Sequence, residues 1–156
     1  MLPSVFSVFQ DEFEISTDPA RLQLARIHAF LSRSYWAKGI PLDLVRKSIA
    51  HSLCFGVFAH AGPEPRQIGF ARVISDQATF AYLADVYIEE DWRGRGLSRW
   101  LLRTILDHPE LQGLRRFCLG TRDAHGLYAK FGFAVNAQPE NWMEIRVFNA
   151  YEKPST

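Results

Sequence analysis

The stretch Asp85-Val86-Tyr87-Ile88-Glu89-Glu90-Asp91-Trp92-Arg93-Gly94-Arg95-Gly96-Leu97-Ser98 constrains the fold more than any other part of this chain. Thr79–Ile88 is rich in aromatic and β-branched types and predicts a long strand. Two glycines then mark a turn. Leu97, Trp100, Leu101 and Ile105 recur at helical spacing and predict a helix from about Gly94 to Asp107. A strand that enters a helix through such a corner belongs to a layered packing of sheet and helices. The first amides of that helix lack intrahelical partners and sit at the positive end of its dipole, so the corner suits a phosphate. Glycine matters there because a side chain would hold the phosphate away from the backbone. Arg93, Gly94, Arg95, Gly96, Leu97 and Ser98 are therefore read as an anion loop. Arg95, Arg99 and Arg103 form a basic stripe beside it; for Arg99 and Arg103 a solvated helix face explains them equally well.

The remaining elements follow from pattern and punctuation. Phe6 to Ile15 alternates loosely, as one or two short strands. Asp18-Pro19 is an N-cap followed by proline, and Leu24, Ile27 and Leu31 extend a helix over 19–33. Ser34 to Pro41 breaks it, and a second helix carries Leu42, Val45 and Ile49. Strands are predicted at 53–60 and 67–74, around the turn Gly62-Pro63-Glu64-Pro65, so that three successive strands make an antiparallel meander. Phe117–Gly120 is a short strand, 123–131 a short helix ending at Gly132, and Trp142–Phe148 a last strand paired near Ala134. The fold class is α/β (α+β): a mixed, mostly antiparallel central sheet with helices on both faces, in one domain spanning 1–156.

Composition narrows the function. With 47% apolar and 22% charged residues in 156, the chain is neither a disordered tail nor a disulfide miniprotein. A net charge of +1 offers no global field for nucleic acid or an anionic membrane, so neither is expected as a partner. No apolar run approaches the roughly 20 residues of a membrane helix. The opening Met1-Leu2-Pro3-Ser4 lacks the charged and apolar regions of a secretory leader. Cys54 and Cys118, far apart, read as reduced thiols of a cytoplasmic protein, and no metal-ligand spacing occurs. The loop lacks the Lys-[Ser/Thr] of a Walker motif, and position 99, where a dinucleotide fingerprint has its third glycine, is Arg99.

Two blocks resemble the GNAT superfamily of acyl-CoA-dependent N-acyltransferases. Its pyrophosphate pattern, Arg/Gln-x-x-Gly-x-Gly/Ala, is matched by Arg93-Gly94-Arg95-Gly96-Leu97-Ser98, with Ser98 at the final small position. Its Leu-Tyr-x-Lys-x-Gly-Phe landmark is matched by Leu127-Tyr128-Ala129-Lys130-Phe131-Gly132-Phe133, in the same order along the chain. Together the blocks cover about residues 80–134. The resemblance implies acetyl-CoA as co-substrate and transfer of acetyl to a primary amine, small-molecule or peptide; the absence of metal-ligand spacing predicts no metal, and the residues leave both a monomer and a homodimer open. It implies that the backbone of Val86, Tyr87 and Ile88 lies along the pantetheine arm, with one amide, that of Ile88, polarising the thioester. It places Tyr128 beside the departing sulfur, and Thr121 where the family often has a cofactor-binding Asn.

The residues say less about the amine. Tyr82 stands eleven positions before Arg93, where some relatives carry a glutamate base. Asp85 is the nearest carboxylate, as a base or as a hydrogen-bonded strand residue, and strict alternation puts it on the face opposite Tyr82, Val86 and Ile88. Glu89 and Glu90 read as solvated turn charges, and His51 and His108 as surface residues. His60, Asp123 and His125 are weaker relay candidates. Tyr35 and Trp36 cover the acceptor in the implied fold, where aromatic faces suit an ammonium; filling the core edge explains them equally well. The alternative is a non-catalytic acyl-CoA-binding module that keeps the loop without turnover.

Overall fold

A computed structural model describes residues 4–153, so the first three residues of the leader reading lie outside it. Ser7–Gln10 (β1) and Phe13–Ser16 (β2) form a hairpin. Asp18 then caps a short 3-10 turn, Pro19–Arg21, its carboxylate accepting the Ala20 amide at 3.0 Å. The α-helix proper is Leu24–Leu31 (α1), so the single helix expected over 19–33 is two pieces. The cause is Gln67, 1% exposed, whose side-chain oxygen accepts the Gln23 amide at 2.7 Å while the Gln67 amide donates to the Gln23 side chain at 3.1 Å. A buried amide must find partners: its oxygen takes the backbone N–H just before α1, and its nitrogen donates to the Gly69 carbonyl at 3.1 Å.

The second helix is Leu42–Ala50 (α2); Val45 is fully buried, whereas Leu42 is exposed. Three long strands follow, Leu53–Ala59 (β3), Arg66–Ser75 (β4) and Phe80–Ile88 (β5), the expected antiparallel meander. Leu97–Leu106 (α3) crosses to Arg116–Leu119 (β6), which joins β5 in parallel. The sheet order is β1 to β6 in sequence order. α3 packs Leu97, Leu101, Leu102 and Ile105 on the face carrying Phe55, Val57, Ala71, Val73, Ala81 and Leu83. On the other face α1 and α2 set Ile27, Leu31 and Val45 against Phe70 and Tyr87. The last helix is His125–Ala129 (α4), closed at Gly132 with φ +93°.

Two departures from pattern bear on function. β4 and β5 slip in register: Phe70 faces Tyr87 but Arg72 faces Ala84, leaving Asp85 and Val86 opposite Ala71 alone. This is a β-bulge, with Asp85 at φ +56°, a conformation non-glycine residues seldom take. The extra residue inverts the alternation, so Val86 and Ile88 pack on the α3 face with Ala81 and Leu83. The second departure is at the end of the chain. Residues 142–147 join no strand, a turn begins at Phe148, and no strand forms near Ala134. His108 also departs: it is 4% exposed, between the rings of Phe6 and Phe55, and burial lowers its affinity for a proton.

Candidate active site

β5 and β6 pair only from Phe80–Leu83 against Arg116–Leu119, so beyond Leu83 the two strands part. The amide of Glu89 donates to the Ile68 carbonyl on β4 at 2.7 Å. Alternation of backbone direction therefore turns the N–H and C=O of Ile88 to the other edge, into the gap that β6 leaves. The Ile88 carbonyl is taken there by Arg93, whose Nε donates to it at 3.0 Å. The Ile88 N–H remains.

The strand ends at the glycine corner. Gly94 and Gly96 adopt φ of +79° and +78°, and a methyl group added at either would meet nothing within 4 Å. α3 has no side-chain N-cap, and its first backbone bond is Trp100 N–H to the Gly96 carbonyl at 3.1 Å. Among the described residues, the amides of 94–99 donate to no backbone carbonyl or side chain. Six successive unpaired donors at a helix N-terminus could hold a diphosphate. Arg95 lies 5.0 Å over the Trp92 ring, and Arg103 5.7 Å over Phe131, so two members of the basic stripe also rest on aromatic faces.

Across the gap, α4 carries Tyr128. Burial raises its phenol above the ordinary value, with smaller contributions from Tyr35 and Asp123, so the hydroxyl keeps its proton. Among the described residues that hydroxyl has no hydrogen-bond partner, while the ring packs edge-on to Phe133, centroids 6.0 Å apart. Thr121 is occupied differently from the expectation: its hydroxyl accepts the Ala124 amide at 3.0 Å and shapes the entry to α4.

On the α2 side a cavity of about 1220 Å³ opens between Tyr35, Trp36, Arg72, Tyr82, Asp85 and Tyr128. The bulge brings Asp85 here beside Tyr82, which corrects the opposite-face assignment made from alternation. Asp85 is held from two sides: Arg72 Nε donates to Oδ2 at 2.8 Å and Trp36 Nε1 to Oδ1 at 3.0 Å. Tyr35 accepts the Arg122 amide at 3.1 Å and lies under the Arg122 guanidinium at 3.9 Å. Both aromatics thus fasten the α1–α2 connection to the site and stay part-exposed. Tyr87 is different: its ring is buried, stacked 3.8 Å from Phe30, so only its backbone can face a ligand.

Arg72 escaped the sequence reading, although a lone charge in the apolar run Ile68-Gly69-Phe70-Ala71-Arg72-Val73-Ile74 was a usable signal. Glu89 was misjudged as solvated. It accepts two bonds from Arg26 at 2.9 and 3.0 Å and tethers α1 to the end of β5. His60 pairs with Glu14, itself held by Arg21, outside the lining of this cavity. Cys54 and Cys118 are free, and burial pushes the Cys54 thiol up to about 12. Among the described residues no His/Cys/Asp/Glu cluster could hold a metal ion, and no helix is long and apolar enough to cross a membrane.

Comparison with known proteins fits this geometry. The family described as acetyltransferase (GNAT) domain matches residues 54–135. A crystal structure of a candidate GNAT-family acetyltransferase from Xanthomonas campestris is 48% identical, with a TM-score of 0.85 over 98% of this chain and 100% of that one. A candidate acetyltransferase from Gibberella zeae is 37% identical over 76% of this chain and 77% of its own length. The fold also matches a GNAT-family acetyltransferase from Elizabethkingia anophelis with acetyl-CoA bound, at a TM-score of 0.60 and 15% identity over 90% and 91% of the two chains.

Proposed function

The chain belongs to the GNAT family of acetyltransferases, and from that premise we propose that it moves an acetyl group from acetyl-CoA to a primary amine by direct attack, without an acyl-enzyme. The observation that carries this reading is the set of unpaired amides at 94–99, lying at the end of a strand whose Ile88 N–H faces an open gap. The co-substrate supplies an activated thioester. Each further task falls to a residue of this chain. Gly94 to Arg99 take the diphosphate on backbone donors, with Arg93 bracing the corner against Ile88. The edge of Val86, Tyr87 and Ile88 aligns the pantetheine arm, and the Ile88 amide steadies charge on the carbonyl oxygen. Tyr128 donates a hydrogen bond from its hydroxyl to the departing sulfur.

Asp85, fixed by Arg72 and Trp36, receives the acceptor's ammonium, since each carboxylate oxygen accepts more than one hydrogen bond. The ammonium loses one proton to water before the neutral amine attacks. The second proton, shed as the amide forms, goes by way of water to the coenzyme A thiolate as the C–S bond breaks. Tyr35, Trp36 and Tyr82 wall the approach. The Cys54 thiol, buried and pushed up to about 12, makes no thiolate at neutral pH and supports the direct route.

The test is thiol release from acetyl-CoA across a panel of amino acids, polyamines, small drug-like amines and peptide N-termini. Amine-dependent release with one class is the expected result. Coenzyme A binding without release from any amine would make the chain a binding module instead. The pH profile gives a second check. A lysine-like amine has a pKa near ~10.4, so kcat/KM is expected to rise close to tenfold per unit from about pH 7 to 9. Tyr128 contributes no falling limb in that range, because its raised pKa keeps the phenol protonated until beyond the ordinary ~10. A loss of rate below pH 9 would remove Tyr128 as the donor.

A further inference from the structure

Arg72 and Asp85 form a fixed ion pair in the wall of the cavity, and the pair is not wholly spent on itself. The Arg72 side chain is 16% exposed and that of Asp85 10%, so both reach the cavity from a largely buried position. Two of the three guanidinium nitrogens are committed. Nε donates to Asp85 Oδ2 at 2.8 Å, and Nη1 donates to Ser52 Oγ at 3.1 Å. Ser52 in turn donates to the Ser48 carbonyl at 2.7 Å, so the end of α2 holds the guanidinium plane in place. Nη2 has no hydrogen-bond partner among the described residues. It is not sealed in either, because among those residues His108 Nε2 is the one fully buried side-chain nitrogen or oxygen without a partner. Nη2 therefore opens on the cavity that Arg72 lines.

Side by side, the two residues offer a carboxylate with spare acceptor capacity and a spare guanidinium donor. A ligand matched to that pair carries an ammonium and a carboxylate on neighbouring atoms. Charge in the rest of the cavity agrees. Arg122 stands 3.9 Å from Asp123, and Lys47 and Arg146 outnumber Glu144, so no surplus of negative charge draws in a polycation. The part-exposed rings of Tyr35, Trp36 and Tyr82 line the same space and suit an apolar side chain. Resting on the acetyl transfer put forward above, we propose that the acceptor is a free α-amino acid with an apolar side chain, its carboxylate held by Arg72 Nη2 and its ammonium by Asp85. After that ammonium gives one proton to water, the α-nitrogen bonds to the acetyl carbon as the C–S bond breaks. Its second proton passes through water to the thiolate, and the products are the N-acetyl amino acid and coenzyme A.

Thiol release from acetyl-CoA with L-phenylalanine, L-phenylalaninamide and phenethylamine tests this on the full chain, since the three share a side chain and differ at the carboxylate. kcat/KM for phenylalanine is expected to exceed that for either analogue roughly tenfold to a hundredfold, the usual worth of a hydrogen bond to a charged group. Amine basicity works the other way for the amide, which lacks the neighbouring anion and sheds its ammonium proton more readily. Arg72→Gln keeps a donor for Asp85 and loses the cation, so the preference should disappear or reverse, with phenethylamine ahead. A purely structural defect would lower all three rates alike, so an Arg72→Gln enzyme with the wild-type ratio overturns the proposal. So does a wild type that favours either analogue, treats the three equally, or acetylates other amines and none of these. The wild-type comparison decides alone if the variant fails to fold. Coenzyme A binding with no release from any amine would instead remove the acetyl transfer, and this proposal with it.

Discussion

Gly96→Asp is expected to raise the Kd for coenzyme A roughly a thousandfold while the chain still folds. Position 96 has φ +78°, and aspartate is among the few residues that visit this region, at a cost of about 1–2 kcal/mol. A Cβ there meets nothing within 4 Å, so the added side chain clashes with no protein atom. Its carboxylate, however, stands where the amides of 97–99 would receive a diphosphate. Two like charges about 4 Å apart near a protein surface repel by about 4 kcal/mol, close to three decades in affinity. Gly96→Asn separates the causes. It carries the same bulk and the same backbone cost without the charge, so isothermal titration should place it between wild type and Gly96→Asp. Equal affinities for Asp and Asn variants would mean that no anion binds at this corner.

The corner was legible in the sequence because its signals are local: two glycines, a preceding strand and a following helix need no distant partner to declare themselves. The meander was legible for the same reason. Asp76, for instance, accepts the amides of Ala78, Thr79 and Phe80 and fixes the β4–β5 turn within four residues. What failed was non-local. The bulge at Asp85 depends on the register of β4 against β5, and one extra residue reversed every facing assignment beyond it. Glu89 reads as a loop charge until Arg26 arrives from α1. His108 reads as a surface residue because its cage, Phe6 and Phe55, comes from distant parts of the chain. Trp142–Phe148 has a strand's pattern, but pattern specifies only what a segment can pair with, not whether its own chain provides the edge. The candidate acceptor pocket combines all of these, with Arg72, Asp85 and Trp36 drawn from β4, β5 and the α1–α2 connection. It was therefore the least readable part.

Tyr128→Phe is expected to lower kcat by roughly a hundredfold to a thousandfold, the usual effect of removing one donor aimed at developing charge, with coenzyme A affinity unchanged. The substitution deletes one hydroxyl and keeps the ring, so the edge-on contact with Phe133 survives. That hydroxyl has no partner among the described residues, and losing a half-buried, unpaired hydroxyl costs the fold little or nothing. Stability and binding therefore stay fixed while the rate alone moves. The size of the effect also distinguishes two ways Tyr128 could act. A thiol ionises near ~8.5 and a phenol near ~10, so full proton transfer to the thiolate is uphill by about 2 kcal/mol. Burial raises the phenol further and makes that transfer harder still. In the proposed mechanism Tyr128 therefore stabilises the leaving sulfur by a hydrogen bond rather than by giving up its proton. A consequence follows for a donor ester whose leaving thiol is more acidic: its thiolate needs less stabilisation, so the Phe variant should recover part of its deficit. Equal kcat in Tyr128→Phe and wild type would take the residue out of the mechanism. An unchanged deficit across leaving groups of different acidity would instead assign it to positioning the thioester.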